Sequence, residues 1–365
     1  MLDMYEAVTA FCGGRNHVGP HVTGTKALIK NRGRGKWEGS EISQRLLLGL
    51  RGYIVGRALR SRESVADDVA KWSTIAQNVP PTPAFQLEEM DVEIANLQAE
   101  AESMRGGRVG CQGGRVGIGG REESSEGNPT TAHEILTTAH NLDARLTHWL
   151  ATIPASWHPT ILPSEQILES IRQAGLYQDY CNIYKSIFVA NVLNGYAFSR
   201  ITVQRVILVC LHCLGVRGRE GERAGEGDMS GRESGRRGEG VGERDRVGNS
   251  DTVVGDATAD LSTLQANATQ TTQESADSIC ASIPFFLGSR TQPHKLDDKT
   301  GIQYPHLEGD TVPEGHYAAA ASYAGIFLMQ RLGQLLSPGL GLREGQFVWV
   351  LGQMGRVKRV YRAGV

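Results

Sequence analysis

Apolar side chains recur every three or four positions along most of the chain, which is the spacing of one buried face of an α-helix. The clearest case is Glu41–Arg60, where one face carries Leu46, Leu47, Leu50, Ile54 and Ala58. The same spacing predicts further helices at Leu2–Cys12, Thr23–Asn31, Phe85–Met104, Thr130–Ala151, Leu261–Pro284, Tyr317–Ser337 and Glu344–Arg362.

The richest apolar stretch, Gln166–Leu214, predicts two helices that join at Gly175 or near Gln178–Asp179. Strict alternation of apolar and polar residues, which is typical of a half-buried strand, is rare in this chain. We therefore predict an all-α fold of stacked antiparallel helix pairs, as a helical bundle or superhelix. In such a fold each one-sided apolar stripe is buried by a neighbouring helix.

Three glycines, Gly49, Gly52 and Gly56, interrupt the predicted helix Glu41–Arg60. Each glycine in a helix interior costs about 1 kcal/mol relative to alanine. Either a neighbouring helix approaches closely over this glycine face, or the helix is simply a weak one.

Glycine is the anomaly of the composition, with 45 residues against 13 prolines. Nine glycines fall in residues 106–127 and eleven in residues 215–248, and neither segment has an apolar run that could offset the entropy of ordering it. We predict two disordered Gly-rich insertions, at residues 106–129 and 215–257. They separate three parts of one helical domain, at residues 1–105, 130–214 and 258–365.

The charges nearly cancel, because 38 Lys and Arg residues face 40 Asp and Glu residues and leave a net charge of −2. A nucleic-acid or membrane-surface binder would carry a clear basic excess. The first residues do not form a secretory signal, and the longest apolar stretch, Val206–Val216, is shorter than the ~20 residues of a membrane span. These observations predict a soluble intracellular protein with no membrane partner.

Motifs with catalytic spacing are incomplete in this sequence. His133 and Glu134 begin like a zinc-protease motif, but Thr137 stands where that motif needs its second histidine. His140 lies two turns from His133 and is interpreted as a surface or partly buried residue. The chain contains neither a nucleophile-elbow motif nor a phosphate-binding loop motif.

The remaining candidates for chemistry are paired cysteines and paired carboxylates. Cys210 and Cys213 form one pair, whereas a structural zinc site takes four ligands, so both are interpreted as small buried hydrophobes. The neighbours Glu88–Glu89 and Asp67–Asp68 point in different directions on a helix and are interpreted as solvated faces. We therefore predict no catalytic, cofactor-binding or metal-binding residues, no cofactor and no enzymatic activity.

Basic and aromatic residues leave two alternatives open. The basic residues can contact phosphate or a nuclear-import receptor, or can complement the C-terminus of a helix; they are Lys26, Lys30, Arg32, Arg34 and Lys36, then Arg356, Lys358, Arg359 and Arg362. Six aromatic residues can line a site between helices or pack in the core, and core packing is favoured; they are Trp149, Trp157, Tyr180, Tyr184, Tyr196 and Tyr323.

Several segments with apolar and aromatic landmarks follow one another along the chain. They are YEA at 5–7, HVTGTKALIKNRG at 21–33, LDARLTHWLATIP at 142–154, IFVANVLNGYAFSRI at 187–201, ADSICASIP at 276–284, the stretch Tyr317–Leu336, and FVWVL at 347–351. In this order they resemble the landmarks of the fungal-specific transcription factor domain. That domain is the regulatory region that follows a zinc binuclear-cluster DNA-binding motif.

The resemblance implies a nuclear regulator of transcription. Its expected partners are proteins of the transcription machinery or another transcription factor, and the resemblance allows a small-molecule effector bound between helices. The family binds DNA through six cysteines in two clusters near the N-terminus, whereas the cysteines of this chain form no such array, so direct sequence-specific DNA binding is not expected. The alternative function is a helical protein-interaction scaffold without a transcriptional role.

Overall fold

The computed structural model describes residues 40–75, 79–109, 129–227, 251–293, 301–322 and 324–361, together with Gly24 and Ala27. The predicted helix Leu2–Cys12 lies outside these residues, as does all of Thr23–Asn31 except the two isolated positions. Residues 110–128 and 228–250 of the two predicted insertions also lie outside them.

Helices make up most of the described chain, which confirms the predicted all-α class. They are α1 (Glu41–Ser61), α2 (Asp67–Ala70), α3 (Pro83–Val109), α4 (Pro129–Thr152), α5 (Glu169–Gly175), α6 (Ile187–Gly227), α7 (Asp251–Leu287), α8 (Glu314–Ser322), α9 (Ala324–Leu335) and α10 (Gln346–Tyr361). Consecutive helices pack as pairs, with α3 against α4, α6 against α7, and α9 against α10. Helical backbone extends into both predicted insertions, since α3 runs to Val109, α6 runs to Gly227 and α7 begins at Asp251.

A small hairpin interrupts the helices between α4 and α6. Its strands, β1 (Thr160–Pro163) and β2 (Tyr180–Ile183), are antiparallel, with Leu162 opposite Cys181. Both of these residues pack with Ile171 of α5 in a small core of their own. The sequence predicted a joint between two helices near β2 and no element at β1, because four residues are too few to show the alternation of a strand.

Helix α6 lies at the centre of the fold, in contact with α3, α4 and α7. By length and mean hydropathy its segment Ile187–Gly215 would suffice to cross a membrane, but 67% of the apolar window is buried inside the protein. A helix that is apolar on most sides is expected where other helices surround it. The almost completely buried side chains of α6 include Ile187, Ala190, Ile201, Val203, Ile207 and Cys210.

Helix α7 continues one turn beyond Pro284, where the sequence predicted its end. Proline normally breaks a helix because it lacks a donor and its ring crowds the preceding turn. Here the extra turn carries Phe286 and Leu287, which are fully buried, so packing outweighs that penalty. The helix ends at Gly288, whose φ of 55° belongs to the left-handed region and whose N–H donates to the Pro284 carbonyl at 2.8 Å.

Arg51 fixes α1 to α3, and its side chain is completely buried. Its guanidinium contacts Glu88 at 2.6 Å and Glu89 at 2.9 Å. The prediction that these two glutamates form a solvated face is therefore wrong. A buried arginine requires carboxylate partners, and α3 supplies both of them. Asp67 and Asp68 are exposed, as predicted.

The close-approach explanation for the glycines of α1 holds at one position. A methyl group at Gly52 would lie 2.7 Å from Oε2 of Glu88, so α3 approaches α1 over this residue. Nothing lies within 4 Å of the corresponding point at Gly49. At Gly56 the neighbour within that distance is Arg60 of the same helix.

We predict opposite effects on stability for alanine at these two glycines. Gly49→Ala should raise the free energy of unfolding by about 0.5–1 kcal/mol, because alanine favours the helix and meets no neighbour. The change in the free energy of unfolding for Gly52→Ala should be less favourable than that for Gly49→Ala by about 1 kcal/mol or more. The reason is that Arg51 holds the Glu88 side chain, which cannot move freely away from the added methyl group. Urea denaturation of both variants measures the difference, and equal gains would contradict it.

Candidate functional site

Three of the landmark segments, far apart in sequence, lie on helices that pack together. Leu142–Pro154 covers the end of α4, Ile187–Ile201 begins α6, and Ala276–Pro284 lies near the end of α7. Helix α6 touches both of the other helices. We call the contacts between these segments the landmark junction.

An aromatic pair joins α4 to α6 within the landmark junction. The rings of Trp149 and Tyr196 stack with centroids 5.4 Å apart, and both side chains are buried. The indole Nε1–H of Trp149 donates to the carbonyl oxygen of Pro83 at 3.0 Å, which also fixes the start of α3. Trp149 thus packs three helices together, as expected for an aromatic residue with one polar edge.

An ion pair joins the same two helices beside the aromatic stack. Arg200 donates from Nε to Oδ1 of Asp143 at 3.0 Å and from Nη2 to Oδ2 at 3.3 Å. The two parallel bonds match the fork of a guanidinium to the two oxygens of a carboxylate. About a quarter of each side chain or less is exposed, so water screens the pair only in part.

Helix α7 is tied to α6 by a hydrogen bond inside the core. Asn194 donates from Nδ2 to Oγ of Ser282 at 2.9 Å, and both residues are almost completely buried. Ser282 in turn donates to the carbonyl oxygen of Ile279 at 2.7 Å. Polar groups in a dry interior favour the one packing that satisfies them, so this bond fixes how α7 sits on α6.

A half-buried acid, Asp91 of α3, lies beside α6. The hydroxyl of Ser199 donates to Oδ1 of Asp91. Burial raises the pKa of Asp91 to about 6, against the opposing effects of the Ser199 hydrogen bond and the positive charge of Arg331. Burial also lowers the pKa of Arg331 to about 10. Both residues are half-buried, so water reaches this cluster only in part.

A second polar network surrounds Asp277 on α7. Its Oδ2 accepts from Arg343 at 2.6 Å, while its Oδ1 accepts from Tyr177 at 3.1 Å and from Gln273 at 2.7 Å. Gln346 of α10 also donates to Oδ1, at 3.1 Å. The carboxylate therefore has protein donors on both oxygens and joins α7 to α10 rather than facing an open site.

The residues singled out for chemistry in the sequence do not converge in the structure. His133 and His140 are exposed on α4, and the described residues contain no group of three or more possible metal ligands. Cys210 and Cys213 are buried, as predicted, and burial raises the pKa of Cys210 to about 12. A buried thiol of this kind stays protonated and is a poor nucleophile.

The aromatic residues mostly confirm the preference for core packing. Trp149, Tyr184 and Tyr196 are buried, Trp157 and Tyr180 are half-buried, and Tyr323 lies outside the described residues. Tyr184 packs edge-on against Phe285 with ring centroids 5.3 Å apart.

The C-terminal basic cluster does not form a single surface patch. Arg356 is buried and donates from Nε to the carbonyl oxygen of Arg290 at 2.8 Å and from Nη2 to that of Gly288 at 2.5 Å. Lys358 and Arg359 occupy the last turn of α10, where positive charge complements the helix dipole. Arg362 and the whole N-terminal basic cluster lie outside the described residues.

A cavity of about 470 Å³ opens between α3, α6 and the turn that follows α9. Its walls combine apolar side chains with arginine and histidine, and they are Arg105, Arg205, Leu208, Val209, His212, Cys213, Pro338 and Gly339. Sequence reasoning missed this cavity because its lining comes from three distant segments. A signal in the sequence was Arg205, the charged residue that directly precedes the apolar stretch Val206–Val216.

Comparisons of the chain with protein-family models, curated proteins and solved structures found no match.

We predict that Trp149 is a major source of stability. Trp149→Ala should lower the free energy of unfolding by about 3–5 kcal/mol, because it removes a buried indole and leaves a cavity between three helices. Phe347→Ala is the matched control: half of that side chain is exposed, so its loss should be about 1 kcal/mol or less. Urea denaturation gives both values, and similar losses for the two variants would contradict the prediction.

We also predict that Asp91 makes stability depend on pH. Its pKa of about 6 in the folded protein exceeds the unfolded value of about 3.9. The folded protein therefore binds more protons than the unfolded chain between these two values, and the free energy of unfolding falls as the pH rises through that window.

Asp91→Asn removes this dependence. The stability of the unaltered chain relative to Asp91→Asn should fall by on the order of 1–3 kcal/mol between about pH 4 and pH 7. Urea denaturation at several pH values measures this difference. A constant difference across the window would be evidence that the acid is already ionised in the folded state.

Proposed function

We propose that this chain regulates transcription as a helical regulatory domain of the kind found in fungal transcription factors. The observation that carries the proposal is the landmark junction. Several residues of the segments that resemble that family contact one another between α4, α6 and α7.

Three contacts join landmark residues of different segments. Asp143 and Trp149 belong to the segment on α4, and they contact Arg200 and Tyr196 of the segment on α6. Asn194 of α6 bonds to a serine of the segment on α7. A chance resemblance would not require the polar landmark positions to pair, so their pairing supports one origin for all three segments.

The proposed mechanism is contact rather than catalysis. The ordered polar groups of the junction are bonded to each other inside the protein, so they are suited to holding a rigid shape. We propose that this body acts in the nucleus, where it binds proteins of the transcription machinery or another transcription factor. Direct sequence-specific binding to DNA is not part of the proposal.

A second candidate, a protein-interaction scaffold without a transcriptional role, is favoured by one surface of α10. Three large apolar side chains are at least half exposed there, namely Phe347 at 50%, Val348 at 71% and Leu351 at 53%. Exposed apolar groups that lie together on one surface often mark a protein contact. This surface would serve either function, so the two candidates differ in what the bound partner does.

A tethering experiment separates the two candidates. The full chain is fused to a heterologous DNA-binding domain, and transcription of a reporter with matching sites is measured in nuclei. We expect reporter output to differ from that of the DNA-binding domain alone. Unchanged output from a stable nuclear fusion would contradict transcriptional regulation and leave the scaffold.

Charge reversal links the reporter effect to the landmark junction. Asp143→Arg and Arg200→Asp each place like charges in contact, so each variant should weaken the effect. The double variant restores an opposite pair and should recover part of the effect. Arg172→Asp, at an exposed site on α5, is the control and should leave the effect unchanged.

A further inference from the structure

The cavity between α3, α6 and the turn after α9 has an excess of positive charge. Arg105, Arg205 and His212 line it, and none of its lining residues in the described part of the chain is acidic. The nearby carboxylate of Glu102 is occupied on both oxygens, by Arg62 at 2.8 Å and by Arg105 at 2.8 Å. Glu102 therefore lies near three arginines and contacts two of them.

Among the described residues, Arg62 and Arg105 form ion pairs with Glu102, whereas Arg205 does not. It makes no hydrogen bond or salt bridge with another described residue, although its side chain is half-buried. Burial lowers the pKa of Arg205, and the charges of Arg62 and Arg105 lower it further, against the opposing effect of Glu102. An anion in the cavity would give Arg205 a favourable charge partner beside the two neighbouring arginines.

The rest of the cavity is apolar. Leu208 and Val209 of α6 form one side, and Pro338 of the turn after α9 forms another. The volume of about 470 Å³ lies within the range of small-molecule sites, which are mostly apolar with a few placed polar groups. A ligand that fits therefore has one anionic end and an apolar body.

We propose that this cavity binds a small amphipathic carboxylate. Arg205 would pair with the carboxylate, because a guanidinium offers two parallel donors to two oxygens. Leu208, Val209 and Pro338 would surround the apolar body. The binding claim holds whether or not the chain regulates transcription, and its test uses purified protein without any reporter.

The test compares three probes on the full purified chain by isothermal titration calorimetry. Octanoate has both an apolar body and a carboxylate, octan-1-ol has only the body, and acetate has only the charge. We expect octanoate to bind more tightly than either of the others. Equal binding of octan-1-ol would overturn the role of the charge, equal binding of acetate would overturn the role of the apolar walls, and no binding of octanoate would overturn the site.

The octanoate affinity of variants tests whether octanoate binds in the cavity. Arg205→Gln should weaken octanoate binding about tenfold or more, as expected for the loss of one charged hydrogen-bonding partner. Arg172→Gln, outside the cavity, should bind octanoate unchanged. Val209→Phe fills part of the cavity and should also weaken binding, so the site does not rest on one variant.

Circular dichroism of each variant verifies that the helices are intact. Folded Arg205→Gln and Val209→Phe proteins that still bind octanoate with unaltered affinity would overturn the proposal.

Discussion

The whole structure depends on the burial of α6. Its apolar surface faces α3, α4 and α7 together, so those three helices are arranged around it. Removing apolar surface from water is the main favourable contribution to folding, and it has no direction of its own. Burial of a single helix on several sides therefore brings its neighbours into contact with it. It does not fix the rotation of each neighbour about its own axis.

Polar contacts supply the direction that hydrophobic burial lacks. Around α6 they differ from one neighbour to the next: an ion pair and an aromatic stack face α4, an amide–hydroxyl bond faces α7, and a hydroxyl–carboxyl bond faces α3. A buried polar group left without a partner is costly. A rotation or slide of any one helix would break its own contact, so each helix has one preferred position.

The sequence predicted the helices well and the interior polar contacts poorly. Helix α1 ends within one residue of its predicted end, because an apolar stripe extends along its whole length. The strands around Leu162 and Cys181 escaped prediction because they are too short to show a period. The sequence predicted Glu88 on a solvated face because its partner, Arg51, lies 37 positions away in the chain. Local patterns report which face of a helix is buried, whereas the identity of the group that covers a charge depends on packing between distant segments.

The landmark junction and the cavity between α3, α6 and the turn after α9 are connected through α6. Arg200 of the junction and Arg205 of the cavity are separated by five residues, or about 8 Å of helix rise. The side chains between them are buried, so this part of the helix moves as a rigid unit if it moves at all. A ligand changes the population of such a unit only when it binds one position more tightly than another. The cavity is bounded by α6 on one side and by the turn after α9 on the other. A ligand proposed for it would therefore contact both of these elements at once.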